Sequence, residues 1–498
     1  MSRQLTNNIS LAYSVEATFG VLNPSGEWIL LEPNDISTFG ATITTVSRNP
    51  ISRTRQRRKG TVVDLDSAAE FEHDLTKEVF INFAEGFVFA NFLGVQLERP
   101  TATTTLAFTV PAGPTLVVDD LVFAVGFADA VNNGLHVVNA VPSATSVPVV
   151  TTLVADAVIA TEENATLEVC GRRGTLSDLD LDVTGTVATL TSAVAEDFTT
   201  MGLELGQLIH IGGVLQANQF DSAGAGMQGY MRLTSISALV LVGDKVSSTL
   251  STDDGVGDTV DILFGRFLKN VATDDGDFVE RSYQFEAAYT TLGAGDTPRF
   301  EYSLGNFANT MALALPLADK ALVTFGFIGT DTDVPTAVRA TNAATPTVTR
   351  QTAAYNTSAD ILRLRILQLD ETGITTCFKD VTLTLGNEVT PEKCLATLGA
   401  LFMNTGNFLV DLEGQILFTD EAVATAVRDN ETVSMDILLR NEDGALSIDI
   451  PAMTLGGGDK EFPVNESVLM NLTGEAFGDP TLDTSIGISL FPVVPAAA

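Results

Sequence analysis

"ISRTRQRRKGTVVDLDSAAEFEHDLT", residues 51–76, sets five cations (Arg53, Arg55, Arg57, Arg58 and Lys59) directly before an alternating run. In an extended strand, residues two apart share a face. Val63, Leu65, Ala69 and Phe71 then fall on a core side, and Asp64, Asp66, Glu70 and Glu72 fall on the other. The stretch reads as a basic loop feeding a strand with one acidic face. Beyond it, in "DLTKEVFINFAEGF" (74–87), the period changes: Val79, Phe80, Phe83 and Phe87 recur at helical spacing behind an Asp or Thr cap.

The same order of signals occurs again. "GNFLVDLEGQILFTDEAVATAVRDN" (406–430) matches residues 60–86: a glycine, a strand with Val-Asp-Leu and a further acid, then a short helix. Val410, Leu412, Ile416 and Phe418 face inward, and Asp411, Glu413 and Gln415 face outward. Upstream, "FGATITTV" (39–46) parallels "FKDVTLTL" (378–385). Downstream, residues 300–329 parallel 446–476, each a strand, a glycine-rich bend and an alternating strand. "SMDILLRNEDGALSIDI" is a hairpin whose turn is Glu442-Asp443-Gly444. One module of hairpin, helix and hairpin is therefore present twice.

The first copy is interrupted. Residues 1–100 with 266–330 form module 1, and 359–498 form module 2. Between the halves of module 1, residues 101–265 read as two small inserted β units, because 120–141 and 207–236 share a pattern. The Thr/Ala/Pro-rich stretch 331–358 reads as a linker or extended arm. The class is mainly β with a few short helices.

Bulk properties exclude several functions. With 45% apolar and 18% charged residues over 498 positions, the chain can bury more than one core, and disorder is not expected. Its 63 acids against 27 bases give a formal charge of −36, which repels nucleic acid and anionic membranes. No apolar leader and no run of ~20 uncharged apolar residues is present, so a soluble protein made inside a cell is expected. Cys170, Cys377 and Cys394 fit no metal spacing, and His73, His136 and His210 are scattered singly. The Asp/Gly-rich runs 251–261 and 273–278 lack the ligand spacing of a calcium loop, and "GGGDK" (456–460) lacks the context of a phosphate loop. No nucleophile, acid pair, metal ligand set or cofactor motif stands out, so no enzyme and no cofactor is expected. Two sites remain: the acids Asp64, Asp66, Glu70, Glu72, Asp411 and Glu413, and the cations Arg53, Arg55, Arg57, Arg58 and Lys59. A basic loop without interleaved aromatics, in so acidic a chain, is better matched to acidic surface on a neighbouring subunit than to nucleic acid.

"ISLAYSVEATFGVL" (9–22), "ITTVSRNPISRTRQRRKGTVVDLD" (43–66), "AAYNTSADILRLRI" (353–366) and "ALSIDIPAMTLGGGD" (445–459) resemble the major tail tube proteins of long-tailed bacteriophages with non-contractile tails. The resemblance implies a β-sandwich with a flanking helix, whose hairpins join those of neighbours into a closed barrel. Rings of such modules stack into a tube around a tape-measure protein, bounded by tail tip and tail terminator proteins. Fused modules imply rings of three chains in place of six. Asp64, Asp66, Asp411 and Glu413 would then face a lumen crossed by DNA in transit, and the basic loop would reach along the tube axis to the adjacent ring. Residues 101–265 would decorate the outside. The protein would be made in the host cytoplasm and end in the virion, with no membrane partner. The competing expectation is a surface-binding β-sandwich, such as an adhesin or capsid decoration protein, which needs an aromatic-lined groove; one Trp and six Tyr give little to build it.

Overall fold

The structure is a computed structural model, and it describes all residues except 1–5, 52, 95, 98, 112–115, 158, 160–164, 195, 222–223, 225, 246, 248, 290–296, 341–345, 349–351, 367–376, 420–421 and 495–498. The chain divides into two compact units, residues 1–89, 278–354 and 380–413 in the first, and 90–277, 355–379 and 414–498 in the second.

In the first unit, β1 (Ile9–Val15) pairs with β2 (Ile29–Leu31) and with Ser282–Tyr289. From there the antiparallel ladder continues through Arg299–Leu315 and Leu322–Gly329 to β4 (Arg58–Asp74), with β3 (Asp35–Arg48) outermost. Helix α1 (Lys77–Val88) lies on this sheet. Its start follows from Thr76, which is extended (φ −120°) and accepts a hydrogen bond from Val79 N at 3.2 Å, and its end from Phe89, at φ 53°. The apolar stripe Val79, Phe80, Phe83 and Phe87 is buried as the spacing predicts. Phe83 sits 4.6 Å from Tyr13 and 4.8 Å from Phe325, ring centre to ring centre, within a cluster that includes Phe71, Phe285 and Phe327. The last turn of α1 is tied down by Asn387, whose Nδ2 donates to Phe87 O at 2.9 Å and to Ala308 O at 3.0 Å.

The Thr/Ala/Pro-rich stretch, as far as Ala354, runs along this unit. Thr347 exchanges backbone hydrogen bonds with Trp28 and Leu30, Phe300 bonds Thr336, and Arg339 makes a two-point bridge to buried Glu286. Positions 341–345 and 349–351 of the stretch lie outside the described residues.

Residues 101–265 of the second unit supply nine strands of a ten-stranded sheet, completed by Gln96–Leu97, and a separate three-stranded sheet, over one contiguous core running from Phe108 to Phe264. The two look-alike segments form the hairpins Asp120–Val125 with Gly134–Val137, and Leu208–Ile211 with Gly229–Ile236. Arg172 on Asp120 (2.7 Å) and Arg173 on Asp261 (2.7 Å) neutralise charge at the edge of that core. The remainder of the unit includes the hairpin Thr432–Asn441 with Gly444–Glu461, which turns at Glu442-Asp443 as read from the sequence, and the short helix Ala422–Asp429.

Strand order repeats. One path runs β1, Ser282–Tyr289, Arg299–Leu315, Leu322–Gly329, β4, β3. The other runs Ile361–Ile366, Thr432–Asn441, Gly444–Glu461, Leu469–Ala476, Leu409–Leu417, Phe378–Gly386. In each, a helix follows the fifth strand of the path. The glycine-rich bends are a correction. Gly305 (φ +63°) and Gly457 and Gly458 (φ +82° and +98°) lie inside strands, where the ladders slip register, and the chain reverses farther on. A bulge and a turn ask for the same left-handed residue, so sequence does not separate them.

Gly86 of α1 tests the packing. A Cβ there would meet the buried Tyr283 hydroxyl at 2.1 Å. Alanine in a helix interior normally stabilises by about 1 kcal/mol. Gly86→Ala should instead destabilise by roughly 1–3 kcal/mol through overpacking, read as a lower urea midpoint; an unchanged or raised midpoint contradicts the packing described.

Candidate assembly surface

β4 has partners on both edges only over part of its length. Leu322–Gly329 pairs with it from Asp74 to Ser67 and stops. From Asp66 to Arg58 its ladder among the described residues is with β3 alone, giving a two-stranded arm about 30 Å long at ~3.3 Å per residue. The alternation continues along the arm while the core does not. Leu65, Ala69 and Phe71 are buried as expected, but Val63 is 49% exposed, and Ile43 and Val46 across from this face are 55% and 56% exposed. In the second set of strands, Val410, Leu412 and Ile416 are buried, whereas Phe418 is half-buried with the Lys460 ammonium 3.7 Å from its ring centre. An isolated two-stranded hairpin is marginal in water, and an exposed apolar edge pairs with other chains unless it is managed.

The acids occupy the opposite face. Asp66 is exposed, and Asp64, Glu70 and Glu72 are half-buried. Glu70 accepts from Ser37 Oγ at 2.6 Å. Asp411 and Glu413 are exposed on the corresponding strand. All five cations are exposed, Arg53, Arg55 (φ 53°) and Arg57 in the loop at the arm's tip and Arg58 and Lys59 at the start of β4, and among the described residues none of the five makes an ion pair.

One residue that sequence reasoning passed over joins this surface. Lys393 extends its ammonium to Asp64 Oδ1 at 2.7 Å and to Asp66 Oδ1 at 2.5 Å. It opens a loop, Lys393–Leu401, between the short paired strands Thr390–Glu392 and Phe402–Asn404. The loop lies where Leu322–Gly329 leaves off: a Cβ on Gly399 would touch Thr330 O at 2.7 Å and Leu65 Cδ2 at 3.4 Å. The Leu65 N–H donates to Asp64 Oδ1 at 2.9 Å, so the carboxylate that Lys393 holds also closes the first donor of the strand edge. Leu395, Leu398, Leu401 and Phe402 are exposed, so the apolar hold on the strap comes from Ala400 and Met403, which pack with Phe89, Phe307 and Val389, and its hold on the acids of β4 from charge. Nothing in "PEKCLATLGA" marks Lys393; only its position in the connection between the repeated strands Phe378–Gly386 and Leu409–Leu417 singles it out.

The clasp sets protonation. Its hydrogen bond from Lys393 holds the Asp64 carboxyl below the usual carboxylate range, and Asp64 and then Asp66 hold the Lys393 ammonium above the usual lysine value. A depressed acid contributes above its ordinary value of ~3.9 and loses that contribution as pH falls through the folded one; a raised lysine contributes below ~10.4 and loses it as pH climbs through the folded one. The described residues hold no group of three or more His, Cys, Asp or Glu able to bind a metal, and no helix among them is long and apolar enough to cross a membrane.

Lys393→Ala should speed hydrogen exchange at Leu65 and its neighbours while leaving α1 unchanged. In the wild-type chain the same amides should keep their protection factors between about pH 5 and 9 and lose protection below about pH 4. Equal exchange in variant and wild type at pH 7 contradicts the clasp.

Comparison with known families finds that the model for phage tail tube protein matches residues 6–468. No curated protein matches the chain. The match covers most of the 498 residues, and the chain belongs to the phage tail tube protein family.

Proposed function

We propose that this structural protein of the virion tail polymerises as stacked rings of three chains, with the acidic face of β4 toward the passage that DNA crosses and residues 101–265 on the outer wall. Membership of the tail tube family carries self-assembly and association with other tail components. The single observation behind the finer reading is the repeated six-strand order, which supports two modules per chain and hence three chains where unfused modules would number six. The two-stranded arm supports the same view: its apolar face, Ile43, Val46 and Val63, is suited to burial against another copy.

The charge then follows from what passes through. Duplex DNA carries one negative charge per ~1.7 Å of axis, and a wall of like sign lets it slide without gripping. Lys393 offsets one of the two charges at Asp64 and Asp66, so Glu70 and Glu72 supply most of the fixed negative charge on this part of β4. The exposed basic loop pairs with acidic surface on a neighbouring copy, adding little per pair and more as a repeated network.

Both parts can be tested together by pelleting polymerised chain with short duplex DNA and imaging the pellet by negative stain. Wild-type chain should give hollow tubes that leave DNA in the supernatant. The Glu70→Lys, Glu72→Lys chain should also give tubes and retain DNA at least about tenfold more strongly at low salt. A chain that stays monomeric with tail initiator present contradicts the tube; wild-type tubes that hold DNA as the variant does contradict the acidic passage.

A further inference from the structure

The clasp within the chain contains the pattern for a contact between chains. "VVDLDS" (62–67) on β4 aligns with "LVDLEG" (409–414) on Leu409–Leu417, which sets Asp64 against Asp411 and Asp66 against Glu413. The two strands hold the same place in the repeated order, beside β3 in one path and Phe378–Gly386 in the other. Their incoming connections correspond too. In the first set it is the basic loop at the tip of the arm; in the second it is residues 387–408, which hold the strap. So within one chain, the connection of the second set puts a cation on the paired acids of the first. The reciprocal contact, from the connection of the first set to the acids of the second, is not made: Arg53, Arg55, Arg57, Arg58 and Lys59 are exposed without an ion pair among the described residues, and Asp411 and Glu413 are exposed.

We propose that the basic loop of one chain clasps Asp411 and Glu413 of a neighbouring chain, as Lys393 clasps Asp64 and Asp66 within its own. Each chain then gives one clasp and receives one. That is a heterologous contact, and it closes into a ring when the rotation allows. Covalent and non-covalent junctions alternate around such a ring, each with cations on two acids of adjacent strand positions. The inference rests on the ring reading above and refines it: the loop works between chains of one ring, not along the tube axis.

Zero-length carbodiimide coupling followed by peptide mass mapping supplies its own control. Lys393 should couple to Asp64 or Asp66 in free and polymerised chain alike, whereas Lys59 should couple to Asp411 or Glu413 only in polymerised chain. Independently, Asp411→Asn with Glu413→Gln should raise the concentration at which rings form about tenfold and flatten its salt dependence. Arg55→Glu with Arg57→Glu should do at least as much, and joining that loop pair to Asp411→Lys and Glu413→Lys in one chain should restore ring formation. If wild-type chain never assembles, the ring reading falls and this inference with it. If wild-type chain assembles but Lys59 couples to neither acid and the Asn/Gln variant matches wild type, only the inference is overturned. A charge-swapped chain no better than its loop-reversed parent also overturns it.

Discussion

A strand edge has to put its backbone donors and acceptors somewhere. In this protein that requirement becomes acute at Ser67, where Leu322–Gly329 stops and β4 continues with β3 as its only ladder partner among the described residues. The strap answers it locally, by setting Lys393 on two carboxylates, one of which caps the Leu65 N–H. Farther along the arm no element among the described residues answers it, and the apolar face is exposed in the single chain. A monomeric protein would be penalised for such an arm. In the proposed assembly, copies of the chain supply what is missing, which would make the incomplete edge and the assembly two sides of one design.

Electrostatics acts on a different scale from packing. The aromatic cluster around Phe83 and the Asn387 bonds to Phe87 and Ala308 fix the first unit regardless of salt. The clasp and the basic loop are exposed or half-exposed, so each pair adds little stability and responds to ionic strength. That division suits a subunit that folds first and joins others later: apolar burial holds the unit, and in the proposed assembly weak repeated ion pairs choose its neighbours.

Much of this was legible in the sequence because it is periodic. Alternation at 61–72 and the helical stripe at 79–87 each report a burial direction, and the structure buries Leu65, Ala69, Phe71, Phe83 and Phe87 accordingly. The sequence repeat was read from Val-Asp-Leu-acid recurring before a helix, and the two strand paths share one order. What escaped was whatever depends on where a partner strand ends. Val63 obeys the alternation and is exposed anyway, since periodicity names a face without saying whether anything covers it. Lys393 is a lone cation more than three hundred positions from its acids, and no local pattern links them. Gly305, Gly457 and Gly458 announced left-handed backbone correctly, while the choice between bulge and turn belonged to the ladder across from them.

In the proposed assembly, two modules per chain complete one ring of three chains. A helical reconstruction of the tube by cryo-electron microscopy, at a resolution that separates strands, addresses it most directly. Three chains per ring, six copies of the repeated strand path around the wall, β4 acids toward the lumen and residues 101–265 outside is the predicted result. Six chains per ring, or a wall built from only one of the two strand sets, would contradict it.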